Sequence, residues 1–307
     1  MSQSLQISQK AALPAATRAN RRRAVFSILA AAILFALAAS CVKALDGAVP
    51  LAQLVLFRSL FAFPVLLPLL RQAGGWGALR TTNPMGHAWR TLFGLVGMGG
   101  AFYGYSTMPL ATVTALGFTM PLFLTLLAVP LLGERVGWRR GSAVVIGFLG
   151  VLMMVRPFGA GAAEVVPSLI VLVAALAWAL AMITIRRMGE AGESGVSIVL
   201  WFAVGSSFVA FSASLPVWIW PSAWQWLLLL GIGIVSALAQ LLMTDAYRSG
   251  EPTLVAPFEY SGIIWTTLLG ALIWAEAPDG WDGMGILILV GSGLYIWWRE
   301  VQLGLKR

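Results

Sequence analysis

The sequence predicts an all-α integral membrane protein with ten transmembrane helices, arranged as two inverted five-helix repeats with both termini cytoplasmic. Three observations lead there: an apolar composition, an internal repeat, and a one-sided distribution of loop cations. Of 307 residues, 59% are hydrophobic and 10% charged, and mean hydropathy is +0.87. Soluble domains carry about 25% charged residues. Apolar stretches of about 20 residues recur along nearly the whole chain, each able to cross roughly 30 Å of hydrocarbon as a helix. They leave no segment long enough for a soluble domain, and the alternating strands of an outer-membrane barrel are absent.

In chain order, a polar tail (1–23) ends in Arg18, Arg21, Arg22 and Arg23. The following run, Ala24 to Leu45, is too long for the apolar region of a signal peptide and leads into further spans, so it is read as an uncleaved first helix. The expected spans are 24–45, 50–71, 87–107, 110–132 and 138–155 in a first repeat (24–157). They are 166–187, 195–218, 224–244, 252–274 and 281–298 in a second (166–298), before a basic tail (299–307). Assigned to alternate sides, the loops and tails put every Lys and Arg on one side except Lys43 and Arg156, with Arg58 inside a span. A helix missed early would scatter that bias, so it supports ten spans with the basic side cytoplasmic. It also assigns the net charge of +8 to membrane-flanking loops rather than to nucleic-acid binding. Five being odd, the second set must enter from the opposite side.

The repeat itself is read at about 142 residues' separation. Without a gap, Tyr105 to Glu134 matches Tyr247 to Glu276 at Tyr105/Tyr247, Val113/Val255, Thr125-Leu126-Leu127 against Thr267-Leu268-Leu269, and Glu134/Glu276. A Trp follows each Glu (Trp138, Trp281), and then a Gly-punctuated apolar run. Duplication in an apolar chain points to a transporter built from two halves. Glycines 94, 97, 99, 100 and 104 in the third span, and 283, 285, 291 and 293 in the tenth, are expected to let helix backbones approach closely. Pro121 and Pro257, both within the duplicated segment, are expected to break their helices and free a carbonyl, which protein or a water-lined cavity must satisfy.

Four features together resemble the EamA-type members of the drug/metabolite transporter superfamily. These are Phe57-Arg58-Ser59-Leu60, the segment from Pro109 ending Gly133-Glu134-Arg135, Trp138, and Gly147-Phe148-Leu149-Gly150-Val151. The resemblance spans residues 25–298. The second half departs from it: Phe202 stands near the counterpart of Arg58, and Ala277-Pro278-Asp279 follows Glu276 in place of basic residues. Membership implies a bacterial inner-membrane carrier, typically exporting amino acids or related metabolites by alternating access through a cavity between the halves. Such families include aromatic amino-acid exporters and carriers of S-adenosylmethionine or riboflavin, so the substrate stays open.

Two charges lie well inside spans, Arg58 and Glu259, and an intramembrane charge marks a pathway or a pair. Counting rise per residue puts them roughly 8 to 10 Å apart in depth, too far for direct contact. Arg58 is either satisfied by backbone carbonyls or bound to a substrate carboxylate, for which a guanidinium has the matching fork. Glu259 is either a hydrogen-bonded carboxyl tying helices together or a proton carrier. Lys43 is read as a snorkelling cation, and Asp245 and Arg248 as interfacial.

Trp218, Trp220, Trp224, Trp226, Trp297 and Trp298 lie near span ends, as an aromatic belt would. Deeper groups that would suit an amphipathic solute are Tyr103, Tyr105, Trp178, Trp201, Gln240, Tyr260 and Trp265, with Ser40, Cys41 and Thr184 as small hydrogen-bonding neighbours. A single cysteine rules out an internal disulfide. With one histidine, His87, and scattered carboxylates, no enzyme active site, metal site or cofactor is expected, and no nucleotide motif suggests ATP-driven transport. A passive scaffold would need neither the duplication nor the interior charges. The expected partners are a small-molecule substrate and the lipid bilayer. Proton antiport is the first expectation for coupling, with facilitated diffusion open, and the sequence sets no oligomeric state.

Overall fold

The structure, a computed structural model, describes residues 15–72, 75–132, 137–156, 165–249 and 252–304. The repeat residue Glu134 and the Gly133-Glu134-Arg135 motif lie outside the described residues. Within them the chain forms thirteen α-helices and no strand. In order they are α1 (Ala15–Ala44), α2 (Leu51–Leu60), α3 (Phe63–Gln72), α4 (Pro84–Thr107), α5 (Leu110–Gly117), α6 (Met120–Leu132), α7 (Trp138–Val155), α8 (Val165–Glu190), α9 (Gly195–Ser214), α10 (Ala223–Ser249), α11 (Pro252–Glu259), α12 (Ser261–Trp274) and α13 (Gly280–Gly304). Every expected span falls on helix. Eight stretches are long and apolar enough to cross a membrane. The glycine-studded α4 and the divided α11–α12 segment are not among them. Leu149, Leu152, Phe208, Leu272 and Leu287 are exposed on the outer faces, as lipid-facing side chains are.

Three of the expected spans are divided, at Phe61–Ala62, Phe118–Thr119 and Tyr260. The last two divisions align in the repeat, Phe118 with Tyr260, although Pro121 and Pro257 do not align with each other. Pro121 sits in the first turn of α6, where its missing N–H is no loss. Pro257 lies inside α11, where its ring removes a backbone bond shortly before the helix ends. Each proline therefore marks the opposite side of an equivalent break. At the first break the Leu116 carbonyl accepts both the Thr119 N–H at 3.0 Å and Thr119 Oγ1 at 2.6 Å.

Packing follows the duplication. α1 lies along α10 and α4 along α8, while α7 pairs with α13 and α5 with α12. A shift of about 142 residues converts the α1–α10 pair into α8–α4 and maps the α7–α13 pair onto itself, as a pseudo-two-fold axis requires. The expected glycine contacts appear here. A side chain at Gly100 would meet Ala174 Cβ at 2.7 Å, one at Gly104 would meet Val171 Cγ2 at 2.5 Å, and one at Gly285 would meet the Gly150 carbonyl at 2.6 Å. One core cluster includes Leu116, Leu122, Met154 and Leu289. A second includes Val42, Phe57, Leu229 and Ile232, and Tyr105 packs against both.

Candidate functional site

The aligned helix breaks meet each other. The rings of Phe118 and Tyr260 lie 4.7 Å apart, tilted by 35°, so the two interruptions form one contact between the halves. Glu259 is the last residue of α11 and Ser261 the first of α12. Ser261 Oγ is buried with no hydrogen-bond partner among the described residues. Its repeat-mate Thr119 is bonded to its own helix, so the second break alone keeps a hydroxyl in reserve.

Tyr260 owes its position to a glycine. A Cβ at Gly293 of α13 would lie 1.9 Å from Tyr260 Oη. Gly293→Ala is expected to displace the ring and destabilise the protein by about 1–3 kcal/mol, the usual cost of overpacking. A lowered unfolding midpoint in detergent checks this. Gly291→Ala, with no neighbour within 4 Å of its added carbon, is expected to match the wild type.

The other candidate residues divide into those near this crossing and those elsewhere. Tyr103 and Tyr105 lie one helical turn or less from the end of α4, and both are half-buried. Gln240 on α10 and Trp265 on α12 are half-buried as well. Trp178 is partly exposed, with its backbone and Cβ beside Gly97. Ser40 Oγ is engaged with the Ala36 carbonyl at 2.9 Å, and Thr184 Oγ1 with Leu180 at 2.8 Å, so both hydroxyls serve their own helices. Trp201 stands apart: its indole N–H donates to the Leu79 carbonyl at 3.0 Å, and its ring lies 5.7 Å from His87. Arg58, half-buried at the end of α2, has no ion-pair partner among the described residues, in keeping with its separation in depth from Glu259. Trp218 and Trp226 are more than belt residues, because both pack edge-on to Phe57, whereas Trp220 and Trp224 are well exposed.

Lys43 does not snorkel. Its Nζ lies 2.8 Å from Glu276 Oε1 and donates to the Met108 carbonyl at 2.9 Å, joining α1 to the ends of α12 and α4. At the basic-loop end, an Arg187 Nη donates to the Leu131 carbonyl and joins α8 to α6. The repeat relates these two ties: α1 corresponds to α8, and the α11–α12 unit to the α5–α6 unit. Arg156, capping α7 in the left-handed conformation with φ 42°, contacts Asp279 at 2.7 Å and Asp282 at 3.1 Å. That guanidinium helps hold the Asp279 carboxyl below its usual range, behind a larger contribution from the Asp282 backbone N–H.

The expected interfacial Asp245 takes a fork from Arg23 at 3.0 and 2.6 Å. Glu193, between α8 and α9, accepts from Thr81 Oγ1 at 2.5 Å and the Thr82 N–H at 3.1 Å, and its other oxygen lies 3.5 Å from His87 Nε2. The Thr81 bond leads in holding this carboxyl below its ordinary range. Its contribution to folding is therefore complete above that range and drains away as pH falls through the lowered value. An open depression of about 330 Å³ borders this network, lined by Gly77, Arg80, Thr82, Glu193 and Val196 among others. It shares no residue with the candidate set.

Paired helix breaks at the meeting of two repeats in an apolar helical bundle define a two-repeat membrane transporter. Residues 22–156 and 166–298 each match the EamA-like transporter family, and the chain belongs to that family. Among its relatives, an S-adenosylmethionine uptake transporter of Rickettsia prowazekii is 29% identical over 249 residues, 81% of this chain and 83% of the relative. The pseudopaline exporter CntI of Pseudomonas aeruginosa is 30% identical over 268 residues, 85% and 91% of the two chains. A riboflavin transporter of Rhizobium johnstonii is 30% identical over 262 residues, 83% of each. A solved crystal structure shares the fold with a TM-score of 0.63 at 20% identity, covering 93% of this chain and 99% of its own.

Proposed function

We propose that the chain is a secondary transporter that exports small amphipathic metabolites, amino acids first among them, across the bacterial inner membrane by alternating access with proton coupling. The observation that carries this reading is the Phe118–Tyr260 contact between the aligned helix breaks. A substrate path in an inverted-repeat carrier runs along such interrupted helices, where irregular backbone lines a cavity. In this reading Arg58, Tyr103, Tyr105, Trp178, Gln240, Tyr260 and Trp265 line the path, and Glu259 carries the coupling proton.

Ten membrane crossings with cytoplasmic termini belong to the same proposal. The polar contacts between helix ends join ends that alternation assigns to one side. Lys43 meets Met108 and Glu276, and Gln53 meets Ile219. On the opposite side Arg23 meets Asp245, Thr81 meets Glu193, and Arg187 meets Leu131. The ties at each end would open in turn.

Uptake or facilitated diffusion is the second reading, favoured by the similarity to an uptake transporter. Counterflow in proteoliposomes with a panel of amino acids, at imposed and collapsed pH gradients, tests both. Exchange that rises with the gradient is expected. No exchange of any amino acid would sink the export assignment, and flux indifferent to the gradient would leave the facilitative reading.

A further inference from the structure

Arg90 departs from what its position in the chain suggests. It is the seventh residue of α4, near the basic-loop end, where an arginine normally extends its head back toward water. Here it runs the other way. A side chain at Gly94, one turn deeper, would lie 2.2 Å from Arg90 Nη1 and 2.4 Å from Phe202 Cε2, so the absent Cβ makes the seat for both groups. The guanidinium carbon sits 4.0 Å from the centre of the Phe202 ring, a cation–π contact that fixes its plane and leaves its edge for other partners. Its Nε is buried without a hydrogen-bond partner among the described residues. Arg58 lies on α2, which packs against both α4 and α9, its neighbours Val55 and Leu56 sharing a cluster with Met98 against which Phe202 packs, so the two like charges face one junction.

Like charges brought together away from water are costly unless something else neutralises them. Neither Arg58 nor Arg90 has an ion pair among the described residues, and the carboxylates of the described ion pairs between helices are committed elsewhere. Glu193 serves Thr81 and His87, Asp245 serves Arg23, Glu276 serves Lys43, and Asp279 and Asp282 serve Arg156. A bound anion would meet that cost.

We propose that Arg58, Arg90 and Phe202 form a clamp for a solute that carries two negative charges, as two carboxylates or one phosphate dianion. The proposal rests on the transporter reading and narrows its substrate class. Two guanidiniums offer forked donors to two carboxylates, or to the several oxygens of one phosphate, and they repel a solute of net positive charge.

The test measures the unfolding midpoint of the purified full-length protein in detergent against N-acetylglutamate, its one-carboxylate analogue N-acetylglutamine, phosphoserine and S-adenosylmethionine. A dianion is expected to bind at least about tenfold more tightly than N-acetylglutamine, as one additional charge-assisted contact would give. The tighter of N-acetylglutamate and phosphoserine identifies the anionic group. Arg90→Gln is expected to erase the preference, Arg90→Lys to keep part of it, and Phe202→Leu to weaken it with both charges in place. Should Arg90→Gln fail to fold, the Lys and Leu variants decide. Equal binding of N-acetylglutamate and N-acetylglutamine, with no tighter binding of phosphoserine, overturns the clamp, as does a preference that survives these substitutions or no binding of any dianion. Dianion binding without counterflow keeps the clamp and sinks the carrier. Counterflow of monoanions or cations alone does the reverse.

Discussion

Glu259→Gln is expected to reduce uphill transport to the level seen with a collapsed pH gradient while leaving substrate exchange intact. The argument starts from the aligned breaks. Gly117-Phe118-Thr119 in the first half stands against Glu259-Tyr260-Ser261 in the second. At the first, glycine has no side chain, phenylalanine has no hydroxyl, and Thr119 is spent on the Leu116 carbonyl. At the second, a carboxyl, a phenol and an unpartnered buried hydroxyl occupy equivalent positions. The polar chemistry of the crossing is thus confined to one repeat, on a fold that is otherwise two-fold. Glutamine keeps the size and hydrogen-bonding capacity of glutamate and removes only its titration, so the helices stay tied while a proton can no longer be loaded. Gradient-driven accumulation and exchange, measured on the same proteoliposomes, separate the roles. Loss of both with folding intact would make Glu259 a ligand. Undiminished uphill transport would move coupling to another group.

Much of the fold could be read from the sequence, because it rests on signals that act residue by residue. Apolar length marks helices, and every expected span is helical. The repeat read in the sequence relates the elements that pair, since its shift carries α1–α10 onto α8–α4. The prolines pointed to the right helices but missed the symmetry between them, which lies in the break and in the Phe118/Tyr260 alignment. Legibility ended at side-chain direction. Lys43 reads as an end-of-span cation because its partner, Glu276, is 233 residues away in the sequence, and nothing local distinguishes a tied lysine from a snorkelling one. Arg90 reads as an interfacial charge for the same reason. The one sequence clue to its inward turn is Gly94 four residues on, hidden among glycines that serve helix packing. Trp201 fits the pattern of a deep aromatic, yet its N–H is taken by Leu79 from the short 3₁₀ turn Gly75–Leu79, a partner that periodicity does not reveal.

The Lys43–Glu276 tie is expected to govern access from the side opposite the basic loops. Lys43 is 11% exposed and Glu276 27%, so the pair is largely sheltered from solvent screening. Losing one partner would cost about 2 kcal/mol, between the values for surface and buried pairs. The tie holds α1 against the end of α12 and the Met108 carbonyl, so this cost falls on the state closed at that end. A shift of about 1.4 kcal/mol between two states changes their ratio about tenfold. The sole cysteine reports it. Cys41 lies two residues before Lys43 on α1, half-buried and beside Gly231. With Glu276→Gln, its reaction with a membrane-impermeant maleimide added outside is expected to quicken by about tenfold or more. The exchanged pair, Lys43→Glu with Glu276→Lys, is expected to bring the rate back toward wild type. Arg187→Gln loosens the related tie at the basic-loop end, so it should slow the reaction, because the population moves toward the state open at that end. A Glu276→Gln protein that melts earlier but labels at the wild-type rate would reduce the pair to a structural brace. Opposite shifts from the two ends would make them the alternating closures of one two-fold machine.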